Sequence, residues 1–229
     1  LAFGAHPDDV ELGCAGTLLG AIAEGKKVGV IDLTKGELGT RGSISQRLSE
    51  AQLASEVMGL TIRENLEMAD GFFINNKEHQ LVIIETIRRF QPSIIFCNAP
   101  EDRHPDHGRA ASLIEEAAFL SGLEKIKTSH EGIAQEAWRP TQVFHYIQSR
   151  SLTPHFVVDI SKHIEKKMEA ILAHSSQFYD PKSNEPDTFI SSAAFLEFVK
   201  GRAKELGQQI GVQYAEGFIT QKTLGINSL

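Results

Sequence analysis

Short β-rich runs alternate along this chain with segments whose apolar residues recur at helical spacing, and this alternation constrains the fold more than any other feature. Parallel strands need long crossover connections, which helices usually supply. The pattern therefore predicts an α/β fold, with a Rossmann-like, mostly parallel sheet in strand order 3-2-1-4-5 and helices on both faces. The predicted strands are Leu1–Ala5, Lys27–Thr34, Thr61–Met68, Pro92–Ala99, Gln142–Gln148 and Phe156–Ile160.

Helices are predicted between and after these strands. Two stretches, Thr128–Pro140 and His174–Ser192, show no core-facing period and are predicted to be irregular; the second is rich in Ser, Pro, Asn and Asp. Loops this long are either tolerated insertions or segments that bind a ligand or pack between subunits, and we expect a homo-oligomer. Neither a repeat nor a low-complexity tract divides the chain, so residues 1–229 are predicted to form one domain. The predicted helices lie at or around Leu12–Ile22, Leu53–Leu60, Leu81–Phe90, Ala110–Leu120, Lys162–Ala173 and Ala193–Leu206.

Composition and charge exclude several classes of protein. The chain carries 41% hydrophobic residues and a formal net charge of −7, which argues against a nucleic-acid surface but leaves a small anionic substrate open. It contains no apolar stretch of about 18 residues, so no membrane span is expected. Cys14 and Cys97 lie in apolar sequence and are predicted to be buried free thiols, as in a reducing cytoplasmic compartment.

Two clusters of histidine and aspartate follow predicted strands directly. His6-Pro7-Asp8-Asp9 ends the first strand, and a cluster running through His104 and His107 follows the fourth. In a sheet of this order, strands 1 and 4 are neighbours where the winding reverses, and ligands bind beyond their carboxyl ends. The two clusters are therefore expected to meet in space and to form the functional site.

The residue types in these clusters favour a metal centre. His6, Asp9 and His107 form a two-histidine, one-carboxylate set, which is the ligand count of a catalytic zinc with an open position for water. The same set suits Fe²⁺, so zinc is favoured and iron remains open. Each cluster alone has a structural explanation, since Pro-Asp-Asp is a common start of a helix and isolated histidines are often on the surface. Their expected convergence favours the functional explanation.

The remaining polar groups of the clusters suit acid–base catalysis. Asp8 adjoins a predicted ligand and could accept the proton of a bound water. His104 would stand across the site as the acid that stabilises the oxyanion and protonates the leaving amine. Asp106 is predicted to keep His104 in its charged form. Glycines Gly13, Gly16 and Gly20 of the first helix are predicted to allow close packing of that helix on the sheet.

The paired motifs Ala5-His6-Pro7-Asp8-Asp9 and His104-Pro105-Asp106-His107 resemble those of the LmbE-like (PIG-L) zinc de-N-acetylases. The resemblance implies His6, Asp9 and His107 as metal ligands, Asp8 as general base, His104 as acid or oxyanion partner, and Arg47 as a substrate contact. Further segments extend it over nearly the whole chain and are similar to the bacillithiol-biosynthesis branch, which deacetylates N-acetylglucosaminyl malate. These segments are Asp32-Leu33-Thr34, Arg47-x-x-Glu50-Ala51, His174-x-Ser176-Gln177 and Tyr214-Ala215-Glu216-Gly217-Phe218.

The chain departs from the family in one respect. Some relatives place a tyrosine hydroxyl near the acetyl oxygen, whereas Phe189 and Phe195 occupy the corresponding segment here. Oxyanion stabilisation is therefore expected from the metal and His104. For His174 two roles stay open, one in shaping the substrate pocket and one in complementing a helix dipole.

Arginines are predicted to contact an anionic part of the substrate. Arg41, Arg47, Arg103 and Arg109 follow strands 2 and 4, and a guanidinium group matches a carboxylate bidentately. Arg47 and Arg103 are the predicted substrate-binding pair. The alternative for Arg47 is an ion pair with Glu50 on the same helix face.

The sequence thus predicts a metal-dependent N-deacetylase that hydrolyses a linear amide bond of a small amino-sugar substrate, with N-acetylglucosaminyl malate as the leading candidate. Another N-acetylglucosamine compound, such as a chitooligosaccharide or cell-envelope sugar, is the alternative. A non-enzymatic sugar- or nucleotide-binding module is less favoured. Gly36, Gly39 and Gly42 resemble a phosphate loop, but a dinucleotide fingerprint would have to follow the first strand.

Overall fold

A computed structural model describes residues 1–225 of the chain; the last four residues of the predicted domain, 226–229, lie outside the described residues. The strands are β1 (Ala2–Gly4), β2 (Gly29–Thr34), β3 (Ile62–Met68), β4 (Ile94–Asn98), β5 (Ser129–His130), β6 (Ile133–Ala134), β7 (Gln142–Tyr146), β8 (Phe156–Asp159) and β9 (Ala215–Ile219). The helices are α1 (Asp9–Ala23), α2 (Ile44–Met58), α3 (Lys77–Phe90), α4 (Pro105–Leu120), α5 (Ile164–Leu172) and α6 (Ala193–Gln208).

The main sheet has the order β3-β2-β1-β4-β7-β9-β8 within residues 1–225. The strands from β3 to β7 are parallel neighbours, so the predicted α/β class, the central strand order and the adjacency of strands 1 and 4 are confirmed. The antiparallel strand β9 between β7 and β8 was not predicted. Its five residues include Glu216 and Gly217, which weaken the β-pattern of the sequence.

One predicted loop is partly wrong. Residues 128–140 contain the small antiparallel hairpin of β5 and β6, which pair Ser129 with Ala134 and His130 with Ile133. The second predicted loop, His174–Ser192, does lack helix and strand.

Alternating side chains of the central strands separate two apolar layers. Phe3 and Ile31 belong to a buried cluster with apolar residues of α3 and α4. Their neighbours Ala2 and Val30 belong to a second cluster with Leu18 of α1 on the opposite face. Because successive side chains of a strand point to opposite faces, the helices cover both sides of the sheet, as predicted.

Close packing of α1 depends on two of the three predicted glycines. A Cβ atom on Gly13 would lie 2.1 Å from Cδ2 of the buried Tyr146, and one on Gly16 would lie 2.7 Å from Ile160. At Gly20 the nearest atom is a ring atom of His163 at 3.6 Å, which is an ordinary contact. The explanation by close packing is thus confirmed for Gly13 and Gly16 and is wrong for Gly20.

An ion pair in the interior fixes the unpredicted strand. Glu216 of β9 accepts hydrogen bonds from the backbone N–H groups of Gly16 (2.9 Å) and Thr17 (2.7 Å) of α1, and from Nζ of Lys167 (2.5 Å) of α5. Both partners of the ion pair are buried. Helix α1, which begins at Asp9, is therefore anchored to β9 through Gly16 and Thr17.

The thiols of Cys14 and Cys97 are free and buried, as predicted. Of the helices described in residues 1–225, none has the length and apolar character needed to cross a membrane.

We predict that Gly13→Ala destabilises the fold by about 1–3 kcal/mol, since the added methyl group overlaps the ring of Tyr146 in a closely packed core. The matched control is Gly201→Ala in α6, where no atom beyond the neighbouring residues and backbone of its own helix lies within 4 Å of the added Cβ. That change should stabilise the helix by about 0.5–1 kcal/mol. Urea unfolding measures both values, and equal effects of the two substitutions would contradict the packing argument.

Candidate metal centre

The two histidine and aspartate clusters meet at the carboxyl ends of β1 and β4. The ring centroids of His6 and His107 lie 5.8 Å apart, and those of His6 and His104 lie 4.6 Å apart. His6 follows β1, whereas His104 caps the N-terminus of α4 and His107 lies in its first turn. The convergence predicted from the sequence is confirmed.

The buried carboxylate of Asp9 lies between two imidazole rings. Its Oδ2 is 3.4 Å from Nδ1 of His6, and its Oδ1 is 3.2 Å from Nε2 of His107. Three N–H groups also donate to it: the His6 backbone (2.9 Å), the Asn98 amide (3.1 Å) and the Gln148 amide (2.7 Å). Burial alone would raise the pKa of Asp9, but the adjacent His107 and His6 outweigh it and hold that pKa well below its usual range. Asp9 is therefore a fixed anion.

Each of these histidines is held by a second carboxylate on its other nitrogen. Nε2 of His6 lies 3.0 Å from Oδ1 of Asp70, and Nδ1 of His107 lies 2.7 Å from Oδ2 of Asp102. An ionised carboxylate only accepts, so these nitrogens donate. When the rings are neutral, the lone pairs of Nδ1 of His6 and Nε2 of His107 both face Asp9. This carboxylate–histidine arrangement is typical of metal ligands, and the donor set fits a divalent cation such as zinc.

Two groups of donor atoms in residues 1–225 are compact enough to hold a cation. In each group the atoms lie within 4.8 Å of one another; the groups are His6 with His104 and His107, and His6 with Asp70 and Asp106. The first group contains no carboxylate. In the second, Asp70 would bind the cation and would no longer accept a hydrogen bond from His6. The predicted set of His6, Asp9 and His107 is not one of these two groups, so its assignment as the ligand set stays a prediction.

Asp8 stands in a strained backbone conformation at the start of α1. Its φ of 137° and ψ of −20° lie where side-chain-bearing residues are rare, and its side chain makes no capping hydrogen bond. The structural explanation, that Asp8 only caps a helix, thus finds no support. Burial raises the pKa of Asp8 to about 6, against the opposing charge of Arg47. A strained, buried carboxyl group beside candidate metal ligands is typical of a catalytic residue.

Arg47 lies behind Asp8 rather than paired with Glu50. Its Nη1 donates to the carbonyl of Gly36 (2.7 Å), and its Nη2 lies 3.3 Å from the Pro7 carbonyl and 3.7 Å from Oδ2 of Asp8. Gly36 has a φ of 63°, and a Cβ there would lie 1.9 Å from Nη1. Arg47 is buried, so a direct contact with substrate stays a prediction that this geometry does not favour.

His104 is oriented by the backbone of α4. The N–H of Asp106 donates to its Nδ1 (3.3 Å), so the ring proton is on Nε2. Burial lowers the pKa of His104, and the neighbouring His6 and His107 lower it further. The carboxylate of Asp106 instead accepts from the Gly71 N–H (2.8 Å) and from Arg109 (2.6 Å). Burial and the two histidines outweigh the rise in the pKa of His104 that the charge of Asp106 causes, so the predicted charged state of His104 is not supported, and the neutral ring offers Nε2–H as a donor.

The remaining predicted residues divide by exposure. Arg103 is exposed, and its guanidinium carbon lies 4.5 Å from the ring centroid of the exposed Phe189. Phe195 is buried against Phe178 in the core. His174 is also fully buried, with Nε2 3.5 Å from Oε2 of Glu11. His174 thus does not line an open pocket.

Sequence reasoning assigned no role to four residues that hold the predicted ligands. Asp70 and Gln148 each follow a strand by two residues, Asn98 ends β4, and Asp102 lies in the following loop. The rule that identified the clusters after strands 1 and 4 applies equally to the other parallel strands of the sheet. It would have identified Asp70 after β3 and Gln148 after β7.

The family model of the GlcNAc-PI de-N-acetylases, PIG-L, matches residues 1–118, which is more than half of the 229-residue chain and contains both clusters. The chain belongs to the PIG-L family. The family resemblance predicted from the motifs is therefore confirmed.

Two curated relatives and one solved structure are similar to most of the chain. The diacetylchitobiose deacetylase of Thermococcus kodakarensis is 28% identical over 222 residues, which cover 93% of this chain and 79% of the relative. The probable N-acetyl-alpha-D-glucosaminyl L-malate deacetylase 2 of Bacillus anthracis is 27% identical, covering 76% and 78%. The solved structure of the conserved protein TT1542 from Thermus thermophilus is 35% identical, with a TM-score of 0.87 and coverage of 99% and 96%.

We predict that His107→Ala abolishes tight zinc binding, whereas His104→Ala retains it. His107 belongs to the predicted set of His6, Asp9 and His107, and removing one of three protein ligands leaves too few donors. Metal analysis after dialysis against a weak chelator measures the difference. Loss of zinc from both variants would instead indicate the set of His6, His104 and His107.

We predict that zinc binding at pH 7 releases about two protons, because ligating histidines must be deprotonated. Burial opposes protonation of these rings, but their carboxylate neighbours raise the pKa of His107 to about 9 and that of His6 well above its usual value. Zinc affinity should therefore rise with pH through this range. Calorimetry in buffers of different ionisation enthalpy counts the protons, and a count of zero would contradict the prediction.

Proposed function

We propose that this PIG-L family member is a zinc-dependent hydrolase that removes the N-acetyl group of an N-acetylglucosamine conjugate, with N-acetylglucosaminyl malate as the leading substrate. The products are acetate and the free amine. Zinc is the proposed ion, and Fe²⁺ is the alternative for the same donors.

One observation carries this proposal. Nδ1 of His6 and Nε2 of His107 face Asp9 from two sides, and Asp70 and Asp102 hold the opposite ring nitrogens. A purely structural cluster would not need both rings oriented by separate carboxylates towards a third. Zinc bound by His6, Asp9 and His107 would supply a water with a pKa of about 7 and a Lewis acid for the acetyl oxygen.

Asp8 is assigned as the general base. Its carboxyl group precedes the ligand Asp9 in sequence, and the burial that raises its pKa to about 6 brings its basicity close to neutral pH. Arg47, 3.7 Å from Oδ2 of Asp8, orients that carboxylate and keeps it from being a stronger base. The proton that Asp8 accepts from the attacking water is available for the leaving amine.

His104 is assigned as the donor to the acetyl oxygen. Because Asp106 N–H occupies Nδ1, the Nε2–H of the neutral ring is free to donate to an oxyanion. Phe189 and Phe195 provide no hydroxyl group for this purpose, so the donor on the protein side is His104.

Arg103 is assigned to the anionic aglycone. It is exposed, adjoins His104 in sequence and is held against the ring of Phe189 rather than by a carboxylate. Its donor groups therefore remain accessible to a substrate carboxylate, which the buried guanidinium of Arg47 does not offer.

A second substrate, a chitooligosaccharide, is favoured by the match to the diacetylchitobiose deacetylase, which spans 93% of this chain. A panel of N-acetylglucosamine, its malate conjugate and diacetylchitobiose, assayed for amine release with zinc-loaded protein, separates the two. We expect the highest kcat/KM on the malate conjugate. Higher activity on diacetylchitobiose would move the assignment to that substrate, and no amine release from any of the three would overturn the proposed function.

We predict that Asp8→Asn keeps its zinc but lowers kcat by roughly 10²–10⁴-fold, since an amide cannot accept the proton of the attacking water. Metal analysis and amine-release kinetics on the same sample check both parts. Turnover equal to that of the parent would show that Asp8 is not the base, and loss of zinc would make it a ligand.

A further inference from the structure

Arg109 joins the start of α4 to the turn that follows β3. Its Nη1 donates to both Oδ1 of Asp106 and the carbonyl oxygen of Gly71, each at 2.6 Å. The other carboxylate oxygen of Asp106 accepts from the Gly71 N–H at 2.8 Å. Asp106 and Arg109 thus bind the N–H and the carbonyl group of Gly71, and we call Asp106, Arg109 and Gly71 the Arg109 clasp.

The turn that the clasp holds also contains Asp70, whose carboxylate is hydrogen-bonded to His6. Asp70 precedes Gly71, and its Oδ1 lies 3.0 Å from Nε2 of His6, while its Oδ2 accepts from the Leu38 N–H at 2.9 Å. Gly71 has a φ of 73°, and a Cβ there would lie 3.1 Å from Leu38. The position of Asp70 therefore depends on a tight turn that the clasp holds against α4.

A competing carboxylate lies close to the same nitrogen. Oδ2 of Asp106 is 3.5 Å from Nε2 of His6, compared with 3.0 Å for Asp70. Asp106 is fully buried, so loss of Arg109 would leave its buried negative charge without a cationic partner. His6 is the donor within reach, and a turn of the Asp106 carboxylate towards it would displace Asp70.

We propose that Arg109 is a positioning residue for the metal centre: by holding Asp106 and Gly71, it secures Asp70 as the partner of His6 Nε2 and thereby aims His6 Nδ1 at Asp9. The inference rests on the proposed metal-binding function. It assigns no contact with substrate to Arg109, which acts through Asp70.

The chemistry of the clasp suggests a conservative replacement. One nitrogen atom of Arg109 makes both contacts, so a lysine ammonium group can reproduce them, whereas a glutamine leaves Asp106 without a charge partner. A matched control is Arg139→Gln, because Arg139 stacks on Phe119 and donates to its carbonyl away from the histidine cluster.

Zinc dissociation constants are measured by competition with a chromophoric chelator for the parent, Arg109→Gln, Arg109→Lys and Arg139→Gln. Loss of an outer-shell partner of a metal ligand weakens metal binding by about 10–100-fold, which is the expected result for Arg109→Gln. Arg109→Lys should restore affinity to within a few-fold of the parent, and Arg139→Gln should leave it unchanged.

A double-mutant cycle with Asp70→Asn tests the route of the effect. If Arg109 acts through Asp70, the double variant loses little more zinc affinity than Asp70→Asn alone, whereas independent effects multiply. Multiplying losses would overturn the inference, as would parental affinity in Arg109→Gln or a loss in Arg109→Lys as large as that in Arg109→Gln. If Arg109→Gln does not fold, the cycle is run with Arg109→Met.

The inference and the proposed function fail in different ways. A parent protein that binds no zinc and releases no amine contradicts the proposed function. A parent that does both, with Arg109→Gln indistinguishable from it, contradicts the role of Arg109 alone.

Discussion

The rest of the site depends on the hydrogen bonds made by the buried carboxylate of Asp9. It receives hydrogen bonds from the loop after β1, from Asn98 at the end of β4 and from Gln148 after β7, and it adjoins the ring of His107 in α4. A buried anion is stable only when its oxygens are well supplied with donors. The central strands must therefore hold their register for this charge to stay buried, so the parallel sheet and the candidate metal centre specify each other.

Much of this arrangement could be predicted from the sequence, because it follows from local pattern and from the topology of parallel sheets. Alternating strands and helices indicated the strand order, and that order brought His6 and Asp9 to His107. The pattern around β9 is too short and too polar to indicate a strand, since its Glu216 is used to bind α1. Its place in the sheet depends on contacts between distant segments, which a local pattern does not contain.

Side-chain partners were harder to predict than side-chain neighbours. Sequence adjacency suggested that Asp106 would stabilise a charged His104, and that Arg47 would pair with Glu50 or bind the substrate. In the structure Asp106 instead accepts a hydrogen bond from Arg109, and Arg47 lies near Asp8 and donates to the carbonyl of Gly36. A charged side chain of this length reaches several possible partners, and burial decides which of them it takes. Only the three-dimensional arrangement shows that Asp70 and Asp102 take the free nitrogens of the two histidines.

The position of β9 between β7 and β8 also has a consequence for synthesis on the ribosome. The proposed ligands all lie within the first 107 residues, but residues 215–219 must emerge before β7 and β8 are joined in one sheet. Until then the edge of β7, beside the segment that supplies Gln148, presents unpaired backbone groups to other nascent chains. The predicted ligands are thus synthesised well before that edge is covered, and during the interval the edge of β7 is open to mispairing.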